Sequence, residues 1–529
     1  MNVKSSASLC TIVLCGLLVS AVSATAQVDA KAVYDRWCAG CHAEDGTGAG
    51  PGANQMRPPP RDFTLGLYQI RSTATGELPT DADILNIINV GMPGTAMPGW
   101  EDVLSSDERE ALVEYLKAFS RFFANSPPPE PLDFGSAPRG SEERVTEGRE
   151  VYDRVECSRC HGEEGRGDGE SASTLADNDD LPIASADLTK NWMLNGGGTV
   201  EDIYRRLRTG LDGTPMPNIS DLVDAGVITD DELWSLAHYV RSLSPETTPA
   251  VREVILAELV VQGAELPSTV DDERWTDVDR FYIPMVGQIV LEPRWFSPRV
   301  EGLWVQAMHD GSELAMLVSW SDPSSSPDPD WADYANKVVA VMASTDEGST
   351  TGPGPADELI VQFPQTQPTG MARPFFLQGD LRRPTYLWTW RSDETAPVES
   401  MARGMGTAQA QPTTGQDVTA VAAHGQGQWK VLMRRALDTE DPEDLPFSVG
   451  AVTPVAFQAF DGDNGEQGMQ GSVSTWYFVS LQQKIPVTAY VAPFAALFLT
   501  FGFGLLVVSQ AKKGEEKRDG NDEAARPTE

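Results

Sequence analysis

The chain has 529 residues, and its 78 Asp and Glu residues outnumber its 40 Lys and Arg residues, which gives a formal net charge of -38 at pH 7. So acidic a chain repels nucleic-acid phosphates, which excludes a nucleic-acid-binding role. The charge favours a basic protein partner or reflects no more than a solvated acidic surface, and the length predicts about three domains.

The N-terminus has the pattern of a secretory signal. Lys4 precedes an apolar run from Leu9 to Val22, and the small residues Ala24-Thr25-Ala26 follow. The run is too short to span a bilayer, so we expect residues 1–26 to be removed after export. Two of the six cysteines, Cys10 and Cys15, leave with this segment. The other four all lie in two motifs, so none is left for a structural disulfide.

These motifs are Cys38-Ala39-Gly40-Cys41-His42 and Cys157-Ser158-Arg159-Cys160-His161. Cys-x-x-Cys-His is the attachment signature of c-type haem, in which two thiols bind the porphyrin and the adjacent imidazole binds the iron. The sequence therefore predicts two covalently bound haem c groups, attached through Cys38, Cys41, Cys157 and Cys160. His42 and His161 are the predicted proximal iron ligands.

A methionine follows each motif at the same distance. Met97 lies 55 residues after His42, and Met216 lies 55 residues after His161, each on a Gly/Pro-rich loop. Met97 and Met216 are therefore the predicted second axial ligands. Two protein ligands leave no vacant position for a substrate, so the pattern predicts electron transfer. One zinc site shared by the two motifs is disfavoured, because 115 residues separate Cys41 from Cys157.

Helical patterns surround both motifs, and they are predicted over Ala30–Cys38, Asp81–Val90, a segment from Ser106, Glu147–Val155 and Asp230–Leu243. Residues 28–125 and 141–246 thus form two repeats, joined by the Pro-rich linker 126–140. Across about residues 30 to 245 the chain resembles the class I cytochrome c family twice over. The resemblance implies two all-α domains whose N- and C-terminal helices cross beside the haem. His238 could compete with Met216 for the iron, but we assign it to packing.

After residue 250 the pattern changes to short alternating apolar runs, which are Leu303–Met308, Leu314–Trp320, Val338–Met342 and Leu359–Phe363. Tryptophan is frequent here, and Gly, Pro and Asp separate the runs. Such a pattern predicts an all-β sandwich over residues 264–482. Met401–Gln416 is rich in Gly, Ala, Thr and Gln and is predicted to be a flexible insertion.

Several phrases of this region resemble the haem-binding γ subunit of the ethylbenzene dehydrogenase and dimethyl sulfide dehydrogenase group. They include Trp304–His309, Val318–Asp322, Pro374–Asp380, Leu387–Trp390, Ala456–Gly462 and Ser474–Trp476. The resemblance implies a sandwich that holds a b-type haem and docks onto the iron-sulfur subunit of a molybdopterin oxidoreductase.

The sequence departs from this family at the two expected ligands of the b-type haem, a methionine and a lysine. Gln378 stands at the methionine position, and Met469-Gln470-Gly471 stands where the lysine is expected. Amides are poor iron ligands. The candidates to replace them are Met342, Met469, Lys484, His309 and His424, so a haem b in this domain stays an open hypothesis.

Pro486–Val508 is an uncharged run long enough to span a bilayer as a helix. Lys512, Lys513, Lys517 and Arg518 follow it, so the positive-inside rule places residues 509–529 in the cytoplasm. The rest of the mature chain would then lie on the periplasmic face of a bacterial inner membrane.

The sequence thus predicts a membrane-anchored dihaem c-type cytochrome. It would be the electron-transfer subunit of a respiratory complex rather than itself an enzyme, partnered by analogy with a molybdopterin oxidoreductase and a periplasmic or membrane electron carrier. Two alternatives stay open. One is a peroxidase-like catalytic haem protein with a labile Met ligand, and the other is a ligand-binding sandwich with accessory haems.

Overall fold

The computed structural model describes residues 28–260, 264–343, 354–368, 373–439, 441–484 and 487–524. The predicted signal peptide, residues 1–26, lies outside these ranges. We call residues 28–125 module 1, residues 141–246 module 2 and residues 264–482 the β domain.

Both modules are built from helices and turns. Module 1 contains α1 (Ala30–Trp37), α2 (Ala39–His42), α3 (Asp81–Val90), α4 (Ser106–Lys117) and α5 (Arg121–Asn125). Module 2 contains α6 (Glu142–Arg154), α7 (Ser158–His161), α8 (Val200–Thr209), α9 (Ser220–Asp224) and α10 (Asp230–Ser242). Ala176 and Pro182 also form an isolated β-bridge in module 2.

The helix starts follow from the capping residues. Capping boxes pair Thr80 with Asp83, Ser105 with Glu108, Thr199 with Asp202 and Thr229 with Glu232, and they open α3, α4, α8 and α10. Each satisfies two backbone groups that a helix end would leave without a partner. The predicted start of α6 at Glu147 was wrong. Ser141 accepts a hydrogen bond from the Arg144 N–H, so the helix begins at Glu142.

Helix α1 packs against α4 in module 1, and α6 packs against α10 in module 2, in agreement with the pairing of helices that the resemblance implied. The Tyr34 ring lies 5.2 Å from that of Tyr115, and the Tyr152 ring lies 5.3 Å from that of Tyr239. In module 2 the crossing is so close that a Cβ on Gly148 would lie 2.0 Å from the Ser235 carbonyl oxygen. Only glycine allows this approach.

The sheet contains fourteen named strands within the described residues, of which the first lies just before residue 264 and the other thirteen lie in the β domain. They are β1 (Val254–Leu259), β2 (Phe281–Pro284), β3 (Val286–Gly287), β4 (Gly302–His309), β5 (Glu313–Ser321), β6 (Glu358–Pro364), β7 (Thr385–Arg391), β8 (Val398–Ala402), β9 (Gln409–Ala410), β10 (Thr419–Gly425), β11 (Gln428–Ala436), β12 (Val452–Phe460), β13 (Ser472–Val473) and β14 (Tyr477–Leu481). The main strand order is β10-β11-β5-β4-β1-β14-β12-β6-β7-β8-β9.

Strand β12 joins the two halves of this sheet. Its first residues, Val452–Val455, pair with β14, and the next five, Ala456–Phe460, pair with β6. The halves then face one another across an apolar core, in which the Trp390 ring of β7 lies 4.8 Å from the Trp429 ring of β11. A strand that changes partners in this way turns a corner between two packed layers.

Two predictions for this region were wrong. Val338–Met342 is not a strand but lies in α11 (Ala332–Ala343), so the domain is not all β. Trp331, Tyr334 and Val338 recur at helical spacing and bury one face against Ala172 of module 2. Met401–Gln416 is not a flexible insertion, because it contains β9 and its Gln411 and Gln416 side chains bond to Asp444 and to Glu399.

Both modules rest on the β domain. The backbone N–H and C=O of Arg57 in module 1 bond to the Ser297 hydroxyl at 2.8 and 3.1 Å. In module 2 the Lys190 ammonium lies 3.8 Å from the Glu301 carboxylate. The linker between the modules contains no helix or strand. It is bonded to both modules, because the Leu132 N–H donates to the Ser72 carbonyl and Nε2 of His238 lies 3.0 Å from the Pro138 carbonyl.

The C-terminus forms α12 (Val487–Ala524). Its segment Ala489–Gly514 is long and apolar enough to cross a bilayer, with a mean hydropathy of 2.3, and it is exposed along its apolar part. It is therefore a candidate membrane span, close to the predicted Pro486–Val508.

Candidate haem-binding sites

Each Cys-x-x-Cys-His motif folds as a single helical turn. In module 1 the His42 N–H donates to the Cys38 carbonyl at 2.9 Å, and in module 2 the His161 N–H donates to the Cys157 carbonyl at 3.0 Å. Side chains three and four residues apart in a helix lie on one face. The two thiols and the imidazole of each motif therefore point to the same side of the turn.

A tyrosine in the preceding helix fixes the end of each motif. The Tyr34 hydroxyl donates to the Ala43 carbonyl at 2.7 Å, and the Tyr152 hydroxyl donates to the Gly162 carbonyl at 2.7 Å. Module 2 has one more residue between this tyrosine and its first cysteine. Glu156, with φ of 61°, takes up the extra residue in the left-handed region, so the contact is preserved.

Both histidines are oriented by a backbone carbonyl. Nδ1 of His42 lies 3.0 Å from the Arg61 carbonyl, and Nδ1 of His161 lies 3.1 Å from the Ala186 carbonyl. This contact makes Nδ1 the protonated nitrogen and leaves the lone pair on Nε2, which is the tautomer that binds a metal. Burial lowers the pKa of both imidazoles, so they stay neutral at neutral pH.

A repeated turn holds these carbonyls in place, and the sequence analysis missed it. The Asp62 carboxylate accepts bonds from the backbone and hydroxyl of Thr64 at 2.8 and 2.6 Å. Asp187 accepts the same two bonds from Thr189 at 2.9 and 2.6 Å. The signal was the phrase Asp-x-Thr directly after each carbonyl residue. Its offset of 125 residues differs from the 119 of the haem motifs, so the repeat was not apparent.

The Met97 loop of module 1 is closed by hydrogen bonds within the loop. The Met92 N–H donates to the Met97 carbonyl at 3.0 Å, and the Thr95 hydroxyl donates to the Met92 carbonyl at 2.7 Å. The Met97 N–H in turn donates to the Thr95 hydroxyl oxygen at 3.2 Å. Gly91 begins the loop with φ of 73°, and a Cβ there would lie 2.5 Å from the Gly99 nitrogen.

The Met216 loop of module 2 has the same three bonds. The Leu211 N–H donates to the Met216 carbonyl at 3.1 Å, the Thr214 hydroxyl to the Leu211 carbonyl at 2.8 Å, and the Met216 N–H to the Thr214 hydroxyl oxygen at 3.2 Å. The two loops therefore hold their methionines in the same local geometry, although Leu211 and Met92 differ in side chain.

The structure brings two of the predicted site residues of module 2 to one apolar core. Cys157 and Met216 both pack against the cluster that contains Tyr152 and Tyr239. In module 1 Cys38 packs against the equivalent cluster, and the His42 ring stacks on Phe63 of that cluster with 4.5 Å between centroids. Met97 is half-buried in its loop.

Cys38, Cys41, Cys157 and Cys160 form no disulfide. Burial, and second the neighbouring thiol of Cys41, raise the pKa of Cys38 to about 11. Burial likewise raises the pKa of Cys157 to about 12. Without haem these groups are therefore neutral thiols that are available for thioether formation.

The positions at which the β domain departs from its resemblance hold a network of amides. Gln378 is 4% exposed, with φ of 59°, and its Nε2 donates to Gln458 Oε1 at 3.0 Å. The backbone N–H of Gln378 also donates to Gln362 Oε1 at 3.0 Å. Met469 packs against a small cluster with Leu377 and Met405.

In the two histidines proposed as substitute ligands, Nε2 lies within hydrogen-bond distance of a backbone carbonyl oxygen. For His309 the partner is Gln482 O, and for His424 it is Asp322 O, both at 3.0 Å. Met342 lies in α11, and Lys484 follows β14.

Family models match both modules. Residues 25–116 match the model described as cytochrome c oxidase, cbb3-type, subunit III, and residues 145–244 match the model described as cytochrome c. The chain therefore carries two cytochrome c domains, and domains of this kind bind haem c covalently.

Two relatives are described as subunits of reductases. A putative respiratory nitrate reductase heme subunit of Haloferax mediterranei is 27% identical over 229 residues, which are 42% of this chain and 70% of the relative. The chlorate reductase subunit gamma of Ideonella dechloratans is 24% identical over 176 residues, 33% of this chain and 63% of the relative. The chain thus spans under two thirds of the second relative.

Among solved structures, a chain of the Kuenenia stuttgartiensis reducing HAO-like protein complex is 43% identical. The match covers 41% of this chain and 96% of that chain, with a TM-score of 0.38.

Proposed function

We propose that the chain is a membrane-anchored, periplasmic dihaem c-type cytochrome that serves as the electron-transfer subunit of a reductase complex. The observation that carries this proposal is the matched histidine geometry. In both modules a backbone carbonyl binds Nδ1 and leaves Nε2 for a metal.

The ligand set follows from these positions. Cys38 and Cys41 would attach the first haem and Cys157 and Cys160 the second, with His42 and Met97 on one iron and His161 and Met216 on the other. The residues fit the group, because each motif presents two neutral thiols and one neutral imidazole on a single helical turn. When bound, the haem supplies an iron that accepts and releases one electron.

The protein's own part is to hold the ligands and exclude substrate. The carbonyls of Arg61 and Ala186 fix the imidazoles, and the loops around Thr95 and Thr214 fix the methionines. Because neither ligand needs to move, little reorganisation accompanies electron transfer. With Met97 and Met216 as second protein ligands, neither iron would have a position open to a substrate, and this is the reason for preferring electron transfer over peroxidase-like catalysis.

The partner would be the catalytic subunit of a reductase. The relatives described as nitrate and chlorate reductase subunits support this, and the resemblance of residues 264–482 to a γ subunit makes a molybdopterin enzyme with an iron-sulfur subunit the preferred candidate. A haem b in the β domain stays a separate hypothesis, because amides occupy the positions of the family's ligands.

In the proposed topology, residues 1–26 are a signal that is removed. The two haem domains are residues 28–125 and 141–246, joined by the linker 126–140, and the β domain, residues 264–482, follows them. Residues 486–508 cross the membrane, and 509–529 lie in the cytoplasm. The apolar part of α12 and the positive charges of Lys512 and Lys513 support this arrangement.

The test is a haem count on the purified full-length protein and on two double variants. A pyridine haemochrome assay should give two c-type haems per chain. Cys38→Ala/Cys41→Ala and Cys157→Ala/Cys160→Ala should each leave one. A double variant that retains both covalent haems would contradict the assignment, and a b-type signal beyond two c haems would place a haem in the β domain. Purification of the native complex should recover a reductase subunit, whereas recovery of this chain alone would contradict the proposed partner.

A further inference from the structure

The two modules touch each other through their methionine loops. Leu67 of module 1 packs on the Met216 loop, where a Cβ on Gly213 would lie 3.3 Å from its Cδ2. Met193 of module 2 lies against the Met97 loop, 3.9 Å from the Cβ position of Gly94. Each module therefore contributes to the surroundings of the loop that carries the other module's methionine.

Arg71 of module 1 makes the strongest of these contacts. Its side chain is 0% exposed, and its Nη2 donates to the Asp212 carboxylate at 2.9 Å and to the Thr209 carbonyl at 3.0 Å. The other guanidinium nitrogens hold it within its own module, by bonds to the carbonyls of Ala74 at 3.1 Å and Tyr68 at 3.0 Å. One buried side chain thus joins the two modules.

Both acceptors in module 2 belong to the methionine loop or its base. Thr209 is the last residue of α8, and Asp212 lies four residues before Met216. Module 1 supplies two further bonds to the same groups, from the Thr75 hydroxyl to the Thr209 carbonyl and from the Gly76 N–H to Asp212. The loop is thus held from outside as well as by its own bonds.

The contact is not repeated in the other direction. The residue that corresponds to Asp212 in the Met97 loop is Pro93, which has no charge. Asp212 is 10% exposed in its side chain, so it depends on Arg71 for its counter-charge. A buried pair of this kind favours one arrangement, because an alternative would leave a charge without a partner in the interior.

We propose that Arg71 is a positioning residue for the methionine ligand of the other module. It holds the Met216 loop across the interface, so that methionine ligation and the reduction potential of the second haem depend on the first module being docked. The proposal rests on the proposed function, because it takes Met216 as an iron ligand.

The test uses the full-length holoprotein and two measurements that do not depend on its activity. One is the far-red absorption band of methionine-ligated ferric haem, and the other is a potentiometric titration that resolves the two haems. Met216→Ala first identifies which haem belongs to module 2. Arg71→Met should then weaken the band of that haem by half or more and shift its potential, and leave the other haem unchanged. Arg71→Lys, which keeps a donor for Asp212, should restore most of the signal.

Two further variants separate positioning from a simple charge effect. In Arg71→Met/Asp212→Asn both charges are gone, so an electrostatic effect alone would return the spectrum and potential to wild type. Positioning predicts that the band stays weak. Arg154→Met is the matched control, because it removes an arginine of module 2 whose partner, Glu232, lies outside the loop. It should change neither readout. If Arg71→Met fails to accumulate, Asp212→Ala removes the same link from the other side.

The outcomes distinguish the assignment of Met216 as an iron ligand from the positioning role of Arg71. An unchanged spectrum in Met216→Ala would overturn the ligand assignment and this inference with it. A changed spectrum in Met216→Ala beside a wild-type spectrum and potential in Arg71→Met would overturn the inference alone, as would a double variant that regains the wild-type band.

Discussion

The hydroxyl of Tyr152 donates to the carbonyl of Gly162 at 2.7 Å, directly after the second haem motif, whereas the hydroxyl of the neighbouring Tyr239 is buried and has no partner among the described residues. The two rings lie 5.3 Å apart in the same core. One tyrosine therefore uses its polar end and the other does not.

This difference gives a matched pair of variants. Tyr152→Phe removes the shorter of the two bonds that the buried Gly162 carbonyl accepts and leaves only the one from the Gly165 N–H at 3.4 Å, so we expect a loss of about 1 to 2 kcal/mol in the free energy of unfolding. Tyr239→Phe removes a hydroxyl that makes no bond, so it should be neutral or slightly stabilising. Denaturant unfolding of module 2 in the full-length protein measures both. Equal losses in the two variants would contradict the assignment of the bond.

The turn that supports each histidine should act on its own haem. Thr64→Val removes one of two bonds to Asp62 and loosens the Arg61 carbonyl, which should cost about 1 kcal/mol. We expect a small shift in the potential of the haem in module 1, because the bond to Nδ1 of His42 sets the basicity of this proposed iron ligand. Thr189→Val should do the same in module 2 only. A shift of both haems in either variant would show that the turns do not act locally.

Stability of the β domain should fall as the pH rises from about 4 to about 7. Burial, and second the nearby carboxyl of Asp461, raise the pKa of Asp463 from 3.8 to about 7. The folded protein therefore holds a proton that the unfolded chain releases, so the stability from this group is fully present below about pH 4 and is lost as the pH approaches 7. The loss is on the order of 1 to 4 kcal/mol.

Asp463→Asn tests this directly, because an amide is neutral at every pH and still offers an oxygen to the Ser324 hydroxyl. The variant should lose less stability than the wild type between pH 4 and pH 8, as followed by the melting temperature of the β domain. Asp330→Asn changes an exposed aspartate of the same domain and should follow the wild type. Parallel curves for wild type and Asp463→Asn would contradict the raised pKa.

The β10–β11 hairpin carries a residue in an unfavourable conformation. Gln426 and Gly427 form its two-residue turn, with φ of 52° and 64°. Such a turn favours Asn-Gly, so Gln426→Asn should stabilise the domain by roughly 0.5 to 1 kcal/mol. Gly427→Ala should do the reverse, because its Cβ would lie 2.8 Å from Cβ of Arg166 in module 2. Thermal unfolding of both variants checks the sign, and a destabilised Gln426→Asn would contradict the turn type.

The parts of the fold that could be read from the sequence are those set by local chemistry. The start of α3 at Asp81 and of α4 at Ser106 follow from capping residues that are adjacent in the chain. Alternation of apolar residues likewise gave β4, β5 and β6.

The parts that could not be read depend on contacts between distant residues. Val338 belongs to a β-branched run that is typical of a strand, but its packing against Ala172 of module 2 favours the helix. The Gln411 side chain donates a hydrogen bond to Asp444, and the Arg71 side chain donates one to Asp212. In both pairs the two residues are far apart in the chain. Bonds of this kind leave no periodicity in the sequence.

The place of β14 within the sheet has a mechanical consequence. The chain passes from β14 to α12 within a few residues, and β14 is bonded on one side to β1 and on the other to β12. A force on the candidate membrane helix therefore enters the sheet through an interior strand. To detach the domain from its tether, that force would have to shear two ladders of hydrogen bonds at once instead of peeling one strand from an edge.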